Sequence, residues 1–157
     1  MLFRSNYIWG NDRIQNYETI CGGSGASAHQ NGCSAVQTHM TNTRLTDPEV
    51  LEWRFPVRLE TFKIRKNSGG KGKHKGGEGV ERQMRFLEPM TVNMIAGHRI
   101  QPPYGMAGGD PGAIGENYVV HSDQKITNIG TKGQVEVKKN DIFILKTPGG
   151  GGYGYPD

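Results

Sequence analysis

The sequence has few cysteines and no long apolar segment, and both absences narrow the class of protein. Two cysteines among 157 residues are too few for the disulfide framework of a small secreted domain. No apolar run approaches the roughly 18 residues that a membrane-spanning helix needs. No basic-then-apolar leader opens the chain. These features predict a cytoplasmic protein that is not embedded in a membrane.

Positive charge is nearly balanced outside one short region. The formal net charge is +4, from 19 Lys and Arg against 15 Asp and Glu. A large share of the cations lies within residues 63–75, which run into a lysine-glycine loop at residues 68–77. This loop has no aromatic residue on which a base could stack. We therefore expect a solvated or anion-binding loop and no nucleic-acid partner.

Glycine, in contrast, is abundant. The chain has 24 glycines, roughly twice the usual share. Each interior glycine costs a helix about 1 kcal/mol relative to alanine, so a helical bundle is disfavoured. The glycines form clusters separated by short segments with strand character. The sequence therefore predicts a mainly β (α+β) fold, with short strands in a sandwich- or barrel-like arrangement and long glycine-rich loops.

Alternating apolar residues predict the individual strands. The predicted strands are residues 55–64, 80–86, 91–95, 118–120 and 142–145. The first changes its buried face near Glu60–Thr61, which requires a β-bulge. Residues 125–129 and 134–138 flank a glycine-rich turn and are predicted to pair as a hairpin. Phe62–Ile64 and Ile142–Leu145 are expected to leave exposed strand edges.

One short helix is predicted near residues 48–54. Asp47 is a suitable N-cap, and Pro48 suits the first helical position. Pro56 ends the helix because it disfavours helical geometry at Phe55. The helix therefore has about two turns.

Known cofactor patterns are incomplete. Residues 23–28 match G-x-G-x-x-A, but no apolar helix follows to present its N-terminus to a phosphate. Cys21, His29, Cys33 and His39 are zinc-ligand types without a C-x-x-C pair. We predict no metal site. A thiolate–histidine pair at Cys21 is an alternative to the commoner role of a small buried cysteine.

The densest polar stretch is residues 37–49. Its acid/base, amide, guanidinium and hydroxyl candidates are His39, Asn42, Arg44, Thr41 and Thr43. Such a set can bind a small polar anion, with Arg44 as a bidentate clamp and the hydroxyls fixing its orientation. The alternative is a turn whose side chains bond the backbone and cap the helix.

A glycine-rich segment at residues 147–154 follows the last predicted strand. Gly149, Gly150, Gly151 and Gly152 leave the backbone free for close approach to a ligand or another chain. A flexible tail is the alternative, although Tyr153 and Tyr155 are unusual in a tail.

Several motifs in a fixed order carry a family resemblance. They include Tyr17–Ala26, Thr38–Arg44, Thr46–Glu49, Gly76–Val80, Pro103–Gly105 and Thr147–Gly154. From about Tyr17 to Pro156 the chain resembles the hydantoinase B / 5-oxoprolinase family, and within it the ATP-dependent 5-oxoprolinases. The resemblance implies that residues 17–157 are the C-terminal fragment of such a domain. Residues 1–16 are then an extension, in part artefactual, since Leu2–Ser5 matches a translated sequencing adapter.

The resemblance also implies an activity for the parent enzyme, which would couple ATP hydrolysis to opening the lactam of 5-oxo-L-proline, giving L-glutamate. ATP and Mg²⁺ would bind to a hydantoinase A-type half in an oligomeric enzyme, not to this chain, and the fragment alone is expected to be inactive. In this interpretation His39 is the acid/base group or orients the substrate. Asn42, Arg44, Thr41 and Thr43 bind the small-molecule substrate, and Gly149–Gly152 form a backbone-amide loop. The alternatives are a hydantoinase B or acetone-carboxylase-type subunit, or a non-catalytic assembly module.

Overall fold

Two antiparallel β-sheets and one short helix make up the regular structure. The computed structural model describes residues 5–38, 41 and 43–156. The strands are β1 (Ser5–Gly10), β2 (Gln15–Ile20), β3 (Val57–Ile64), β4 (Val80–Phe86), β5 (Met90–Ala96), β6 (Glu116–Val120), β7 (Ile126–Asn128), β8 (Lys132–Val137) and β9 (Ile142–Lys146), and the helix is α1 (Pro48–Arg54). The first sheet has the strand order β2-β1-β5-β8, and the second has the order β3-β4-β9-β6-β7. The mainly β prediction is confirmed, and neither of the described sheets closes into a barrel.

The hydrophobic core lies between the two sheets. On β4 and β5 buried and more exposed residues alternate, because successive side chains point to opposite faces of a sheet. The Trp9 ring of β1 meets the Phe86 ring of β4 edge-on at 5.9 Å. The Tyr7 ring lies 5.3 Å from the Phe143 ring of β9. The two sheets thus form a β-sandwich whose interior is filled by large side chains.

The helix begins and ends where the sequence predicts. The Asp47 carboxylate accepts hydrogen bonds from the backbone N–H groups of Glu49 (2.9 Å) and Val50 (3.4 Å). Phe55 is extended, with φ −132° and ψ 145°. Leu51 is buried and fixes the helix against the core. Among the described residues no helix is long and apolar enough to cross a bilayer.

Strand β3 contains the predicted β-bulge and forms the first predicted exposed edge. Its pairing with β4 shifts by one residue between Leu59 and Thr61, which is the predicted bulge. Strand β3 is the edge of the five-stranded sheet, and Phe62 and Ile64 are 44% and 48% exposed. The prediction that Ile142–Leu145 leaves an exposed strand edge is wrong. Strand β9, which contains Ile142–Leu145, pairs with β4 on one side and β6 on the other.

The predicted hairpin at residues 125–138 is also wrong. Strand β7 pairs with β6 in the second sheet, whereas β8 pairs with β5 in the first. The turn between them carries the chain from one sheet to the other, and Gly130 adopts a φ of +68° there. A glycine-rich turn predicts that the chain reverses direction, but it does not predict with which strand the following strand pairs. The partner of β8 is set by β5, whose Val92 lies opposite Val135.

Strand β1 lies within the segment that the sequence predicts to be an extension. It pairs with β2 on one side and β5 on the other. It contributes the fully buried Tyr7 and Trp9 to the core. The artefactual origin of Leu2–Ser5 stays a prediction.

Candidate functional site

The polar segment 37–49 leaves the sandwich beside the end of β2. The Val36 N–H donates to the Gly22 carbonyl at 2.9 Å. The Gln37 side-chain amide donates to the Thr19 carbonyl at 2.8 Å. The segment returns at Leu45, which packs partly buried against the core. Both ends of the segment are therefore fixed to the sandwich.

Part of the predicted site can be placed on this segment. Arg44 and Thr43 are exposed, and Thr41 is half-buried. Within the part of the chain that the structure describes, the Arg44 guanidinium has no carboxylate partner, so it can accept an anion. The predicted His39 and Asn42 lie outside the described residues. The capping alternative holds at the end of the segment, where Asp47 caps α1.

A buried charged network lies directly beneath the start of this segment. The Arg82 guanidinium of β4 donates to the Glu18 carboxylate of β2 at 2.8 Å, and the two side chains are only 3% and 4% exposed. The Tyr7 hydroxyl of β1 donates to the other oxygen of Glu18. Burial, reinforced by the neighbouring Glu18 charge, raises the pKa of Tyr7 well above its usual value. The network joins the two sheets next to Thr19, to which Gln37 is bonded.

Sequence reasoning missed this network, although a signal existed. Arg82 has the same strand parity as Val80, Met84 and Phe86, so it must point toward the core. A charge at an inward position needs a buried partner. Which residue supplies that partner depends on the packing of the other sheet.

The Cys21 thiol lies close enough to the network to interact with the charge of Arg82. Cys21 is buried, whereas Cys33 is exposed, and both are free of disulfides. Burial raises the pKa of Cys21, and the charge of Arg82 only partly opposes this. A thiol with a raised pKa is a poor nucleophile, which favours a small buried cysteine over a thiolate pair. Within residues 5–38, 41 and 43–156, no group of three His, Cys, Asp or Glu side chains could hold a metal ion.

The glycine clusters form a second packed region, which we call the glycine lattice. Its segments are residues 22–26, 31–33, 67–79, 103–113 and 147–154. They run beside one another and exchange backbone hydrogen bonds. The Gly77 N–H donates to the Ser24 carbonyl, the Gly150 N–H to the Gly77 carbonyl and the Gly70 N–H to the Gly150 carbonyl, each at 2.8 Å. Backbone, with a few small side chains such as that of Ser68, fills the interior of this region.

Gly149–Gly152 lie at the centre of the glycine lattice. A Cβ on each would lie about 2 Å from a carbonyl oxygen of a different neighbour. Those distances are 1.9, 1.8, 1.9 and 2.1 Å, to Ser68, Ser24, Tyr104 and Lys71 respectively. The amides of three of these glycines donate to carbonyls of residues 113, 77 and 110. The four glycines are buried, so a flexible tail is excluded here. Contact of this loop with a substrate stays a prediction.

The G-x-G-x-x-A pattern belongs to the same lattice. The Gly23 amide donates to the Pro148 carbonyl, the Ser24 amide to Cys33 and the Ala26 amide to Gly151. These amides point at backbone carbonyls, and residues 27–38, which follow them directly, contain no helix. Residues 23–28 therefore do not fit a nucleotide phosphate.

With this geometry in view, comparisons with known proteins identify the family. The sequence model of the Hydantoinase B/oxoprolinase family matches residues 3–156. The chain belongs to this family. It is 46% identical over 150 residues to 5-oxoprolinase 1 of Arabidopsis thaliana, which covers 96% of the chain and 12% of that protein. It is 50% identical over 145 residues to the 5-oxoprolinase of Saccharomyces cerevisiae, covering 88% of the chain and 11% of that protein.

A solved structure shares the fold. The nucleotide-free structure of acetone carboxylase superimposes with a TM-score of 0.81 at 20% identity, over 96% of this chain and 25% of that one. At this identity the likeness concerns the fold alone. The chain spans only about an eighth of the length of the 5-oxoprolinases it matches.

Proposed function

We propose that the chain is the C-terminal portion of an ATP-dependent 5-oxoprolinase, which hydrolyses the lactam of 5-oxo-L-proline to L-glutamate in the cytoplasm. The observation that carries this proposal is the 46–50% identity to named 5-oxoprolinases over nearly the whole chain. In the parent, ATP and Mg²⁺ bind to a hydantoinase A-type half within an oligomer. The chain by itself is inactive.

The chemistry explains why the substrate must be activated elsewhere. A lactam carbonyl is a poor electrophile, because the nitrogen lone pair is delocalised into it. ATP supplies phosphorylation of the carbonyl oxygen, which makes that oxygen part of a leaving group. Water then attacks the activated carbon, the ring C–N bond breaks and the nitrogen takes up a proton to become the amine. A second water releases the phosphoryl group as inorganic phosphate and leaves the second carboxylate. The role of this chain in the reaction is to bind the substrate and to transfer protons.

The polar segment is the part of the chain suited to substrate binding and proton transfer. Arg44 is exposed and lacks a carboxylate partner among the described residues, so it can bind the substrate carboxylate. Thr41 and Thr43 supply hydroxyls beside it, and Asn42 supplies an amide. His39 is the acid/base group in this proposal. The buried Glu18–Arg82 pair stiffens β2, whose Thr19 carbonyl accepts the hydrogen bond from the Gln37 side chain at the start of the segment.

Two substitutions in the full-length parent test these roles. His39→Ala and Arg44→Ala should each lower ATP-dependent glutamate release from 5-oxoproline at least ~10²-fold, the size of one general acid/base or charge contact. Arg58→Ala is the matched control, because Arg58 is also an exposed arginine, with its side chain 66% exposed on β3. Near-normal turnover of both His39→Ala and Arg44→Ala would reduce the segment to a structural turn.

The second candidate is a hydantoinase B or acetone-carboxylase-type subunit. Its support is the shared fold with acetone carboxylase. The same parent assayed with hydantoins and with acetone plus bicarbonate separates these functions. ATP-dependent turnover of one of these substrates, without turnover of 5-oxoproline, would replace the first proposal. An enzyme whose activity survives removal of the polar segment would favour a non-catalytic assembly module.

A further inference from the structure

A row of alternating charges crosses the outer face of the five-stranded sheet. Lys63 on β3 lies opposite Glu81 on β4, and Glu81 lies opposite Lys146 on β9. Lys146 in turn lies opposite Glu116 on β6. Arg65 follows directly after the end of β3. Cross-strand pairs of opposite charge stabilise a sheet modestly, and here they also surround an open space.

That space is an open cleft of about 740 Å³. Cationic side chains dominate its lining, which consists of Lys63, Ile64, Arg65, Lys66, Glu81 and Lys146. The volume lies within the range of small-ligand sites, roughly 300–1,000 Å³. We call it the cationic cleft. It is distinct from both the polar segment and the lysine-glycine loop.

Two of the cations are held in place before any ligand arrives. The Arg65 guanidinium donates to the Ile114 carbonyl at 2.6 Å and to the Glu116 carboxylate at 3.0 Å. The Lys146 ammonium donates to the other oxygen of Glu116 at 3.2 Å. The Arg65 and Lys146 side chains are only 18% and 25% exposed. Because they are already ordered, binding an anion costs them little further conformational entropy.

The local charge is not balanced. Among the described residues, the four cations at the cleft lie beside two carboxylates, those of Glu81 and Glu116. Arg99 adds a further buried cation nearby. Within the described ranges its guanidinium donates to neutral groups, on Asn117, Gly97 and Ser5. Burial, together with the charge of Arg65 and against the opposing charge of Glu116, lowers the pKa of Arg99 to about 10. An anion bound in the cleft would offset the excess positive charge of the side chains that line it.

We propose that the cationic cleft binds a compact anion of charge −2 or more, of the phosphate or dicarboxylate class. A small ligand fits better than a nucleic-acid strand, because none of the residues that line the cleft is an aromatic on which a base could stack. The proposal concerns a site separate from the one in the proposed function. It can therefore fail while the proposed function stands.

Binding to the full 157-residue chain tests the proposal. Inorganic phosphate and glutarate are titrated separately by calorimetry at constant ionic strength set with chloride. Lys63→Gln/Lys66→Gln removes two exposed charges from the cleft. Lys71→Gln/Lys73→Gln removes two exposed charges from the lysine-glycine loop and is the matched control. The cleft variant should bind at least ~10-fold more weakly, while the loop variant stays within about 2-fold of the wild type.

A second measurement covers the case in which a variant folds poorly. On the unsubstituted chain, saturating phosphate or glutarate should slow acetylation of Lys63 and Lys66, read by mass spectrometry, and leave Lys71 and Lys73 unaffected. Preference for phosphate or for glutarate identifies the ligand class, and either one supports the cleft. The proposal is overturned if neither anion binds beyond chloride. Equal weakening by both variants would overturn it too, as would equal protection of all four lysines.

Discussion

The β-sandwich and the glycine lattice are packed by opposite means. In the sandwich, large side chains such as Trp9, Phe86 and Phe143 fill the space between two sheets. In the lattice, backbone packs closely against backbone, and the side chains buried with it, such as that of Ser68, are small. The two regions are continuous, because β4 begins and β9 ends where the lattice starts. The Val80 N–H donates to the Thr147 hydroxyl at 2.7 Å at this junction.

This difference determines where the chain tolerates substitution. A side-chain core can relax around a changed volume, since rotamers and neighbouring residues adjust. A backbone-packed region cannot, because the atoms that would clash are carbonyls already engaged in hydrogen bonds. Glycine also loses more conformational entropy on folding than any other residue, so the lattice depends on its hydrogen bonds and on the sandwich for stability.

We therefore expect the largest loss in the free energy of unfolding from a single methyl group added inside the lattice. In Gly150→Ala the new Cβ would lie 1.8 Å from the Ser24 carbonyl oxygen. We expect a loss of more than ~4 kcal/mol in the free energy of unfolding, or no cooperative transition at all. Urea unfolding of the full chain, followed by circular dichroism, measures it.

Gly25→Ala is the matched control for this prediction. Its Cβ would lie 3.8 Å from the nearest atom, the Gly151 carbonyl oxygen, an ordinary contact. We expect it to unfold within about 1 kcal/mol of the wild type, because alanine also restricts the unfolded chain. If Gly150→Ala is as stable as Gly25→Ala, the contrast between the two regions is lost.

The next largest effect concerns the sandwich, where a second substitution should restore part of the stability that a first substitution removes. Arg82→Met should destabilise the sandwich by ~3–5 kcal/mol, because it leaves the Glu18 carboxylate buried without its partner. The double variant Glu18→Gln/Arg82→Met should recover part of that loss, since it removes the buried charge. Thermal unfolding of both variants gives the answer. A double variant no more stable than Arg82→Met would show that this part of the sandwich is as unforgiving as the lattice.

A smaller effect concerns a buried acid in the turn before β9. Asp141 is fully buried and accepts hydrogen bonds from the His121 ring at 2.7 Å and from the Ser122 and Lys138 backbones at 2.9 Å each. Burial alone would raise its pKa, but these bonds outweigh burial and lower it. A lowered pKa in the folded state stabilises the protein above the unfolded pKa of about 3.9. That stability is lost as pH falls through the folded pKa.

Asp141→Asn should thus cost ~1–3 kcal/mol near neutral pH and flatten the acid limb of the stability curve. Urea midpoints between about pH 7 and about pH 3 show both changes. Asp12→Asn is the control, because Asp12 is exposed and should leave the curve unchanged. An unaltered acid limb in Asp141→Asn would assign the acid sensitivity to other carboxylates.

Local features of the sequence predict local structure well. The Asp47 cap, the proline after it and the bulge near Glu60–Thr61 depend on neighbours within a few residues, and the structure contains all three. The family resemblance is likewise confirmed by the match over residues 3–156. The cap, the proline and the bulge depend on residues close together in the sequence, and the family motifs depend on their order along the chain. Both kinds of information can be read directly from the sequence.

Pairings across the fold are harder to predict. The residues around the turn at Gly130 suggest a hairpin, but the burial of β8 against β5 sends the chain to the other sheet. The Glu18–Arg82 pair needs both sheets in place before it exists. The glycine clusters suggest loops open to a ligand, yet Gly150 faces the backbone of Ser24, distant in sequence. The roles of His39 and Asn42 stay predictions, since both lie outside the described residues.

The smallest expected effect is on the outer surface of the lattice. The backbone of the lysine-glycine loop is fixed, with the His74 N–H donating to Tyr153 at 3.0 Å and the Lys75 N–H to the Asn31 side chain at 2.8 Å. The side chains of Lys71, Lys73 and Lys75 are nevertheless exposed. Neutralising all three to Gln should change the free energy of unfolding by less than ~0.5 kcal/mol, as is usual for surface positions.

The same triple variant tests the partner class of this loop. Without aromatic residues to stack bases, the loop should retain no RNA specifically at ~0.15 M salt. Filter binding of the unmodified chain and the triple variant, across a range of salt concentrations, measures this. Specific retention by the unmodified chain that the triple variant loses would make the loop a nucleic-acid site. A large loss of stability in the triple variant would instead show that the three lysine side chains help to hold the lattice together.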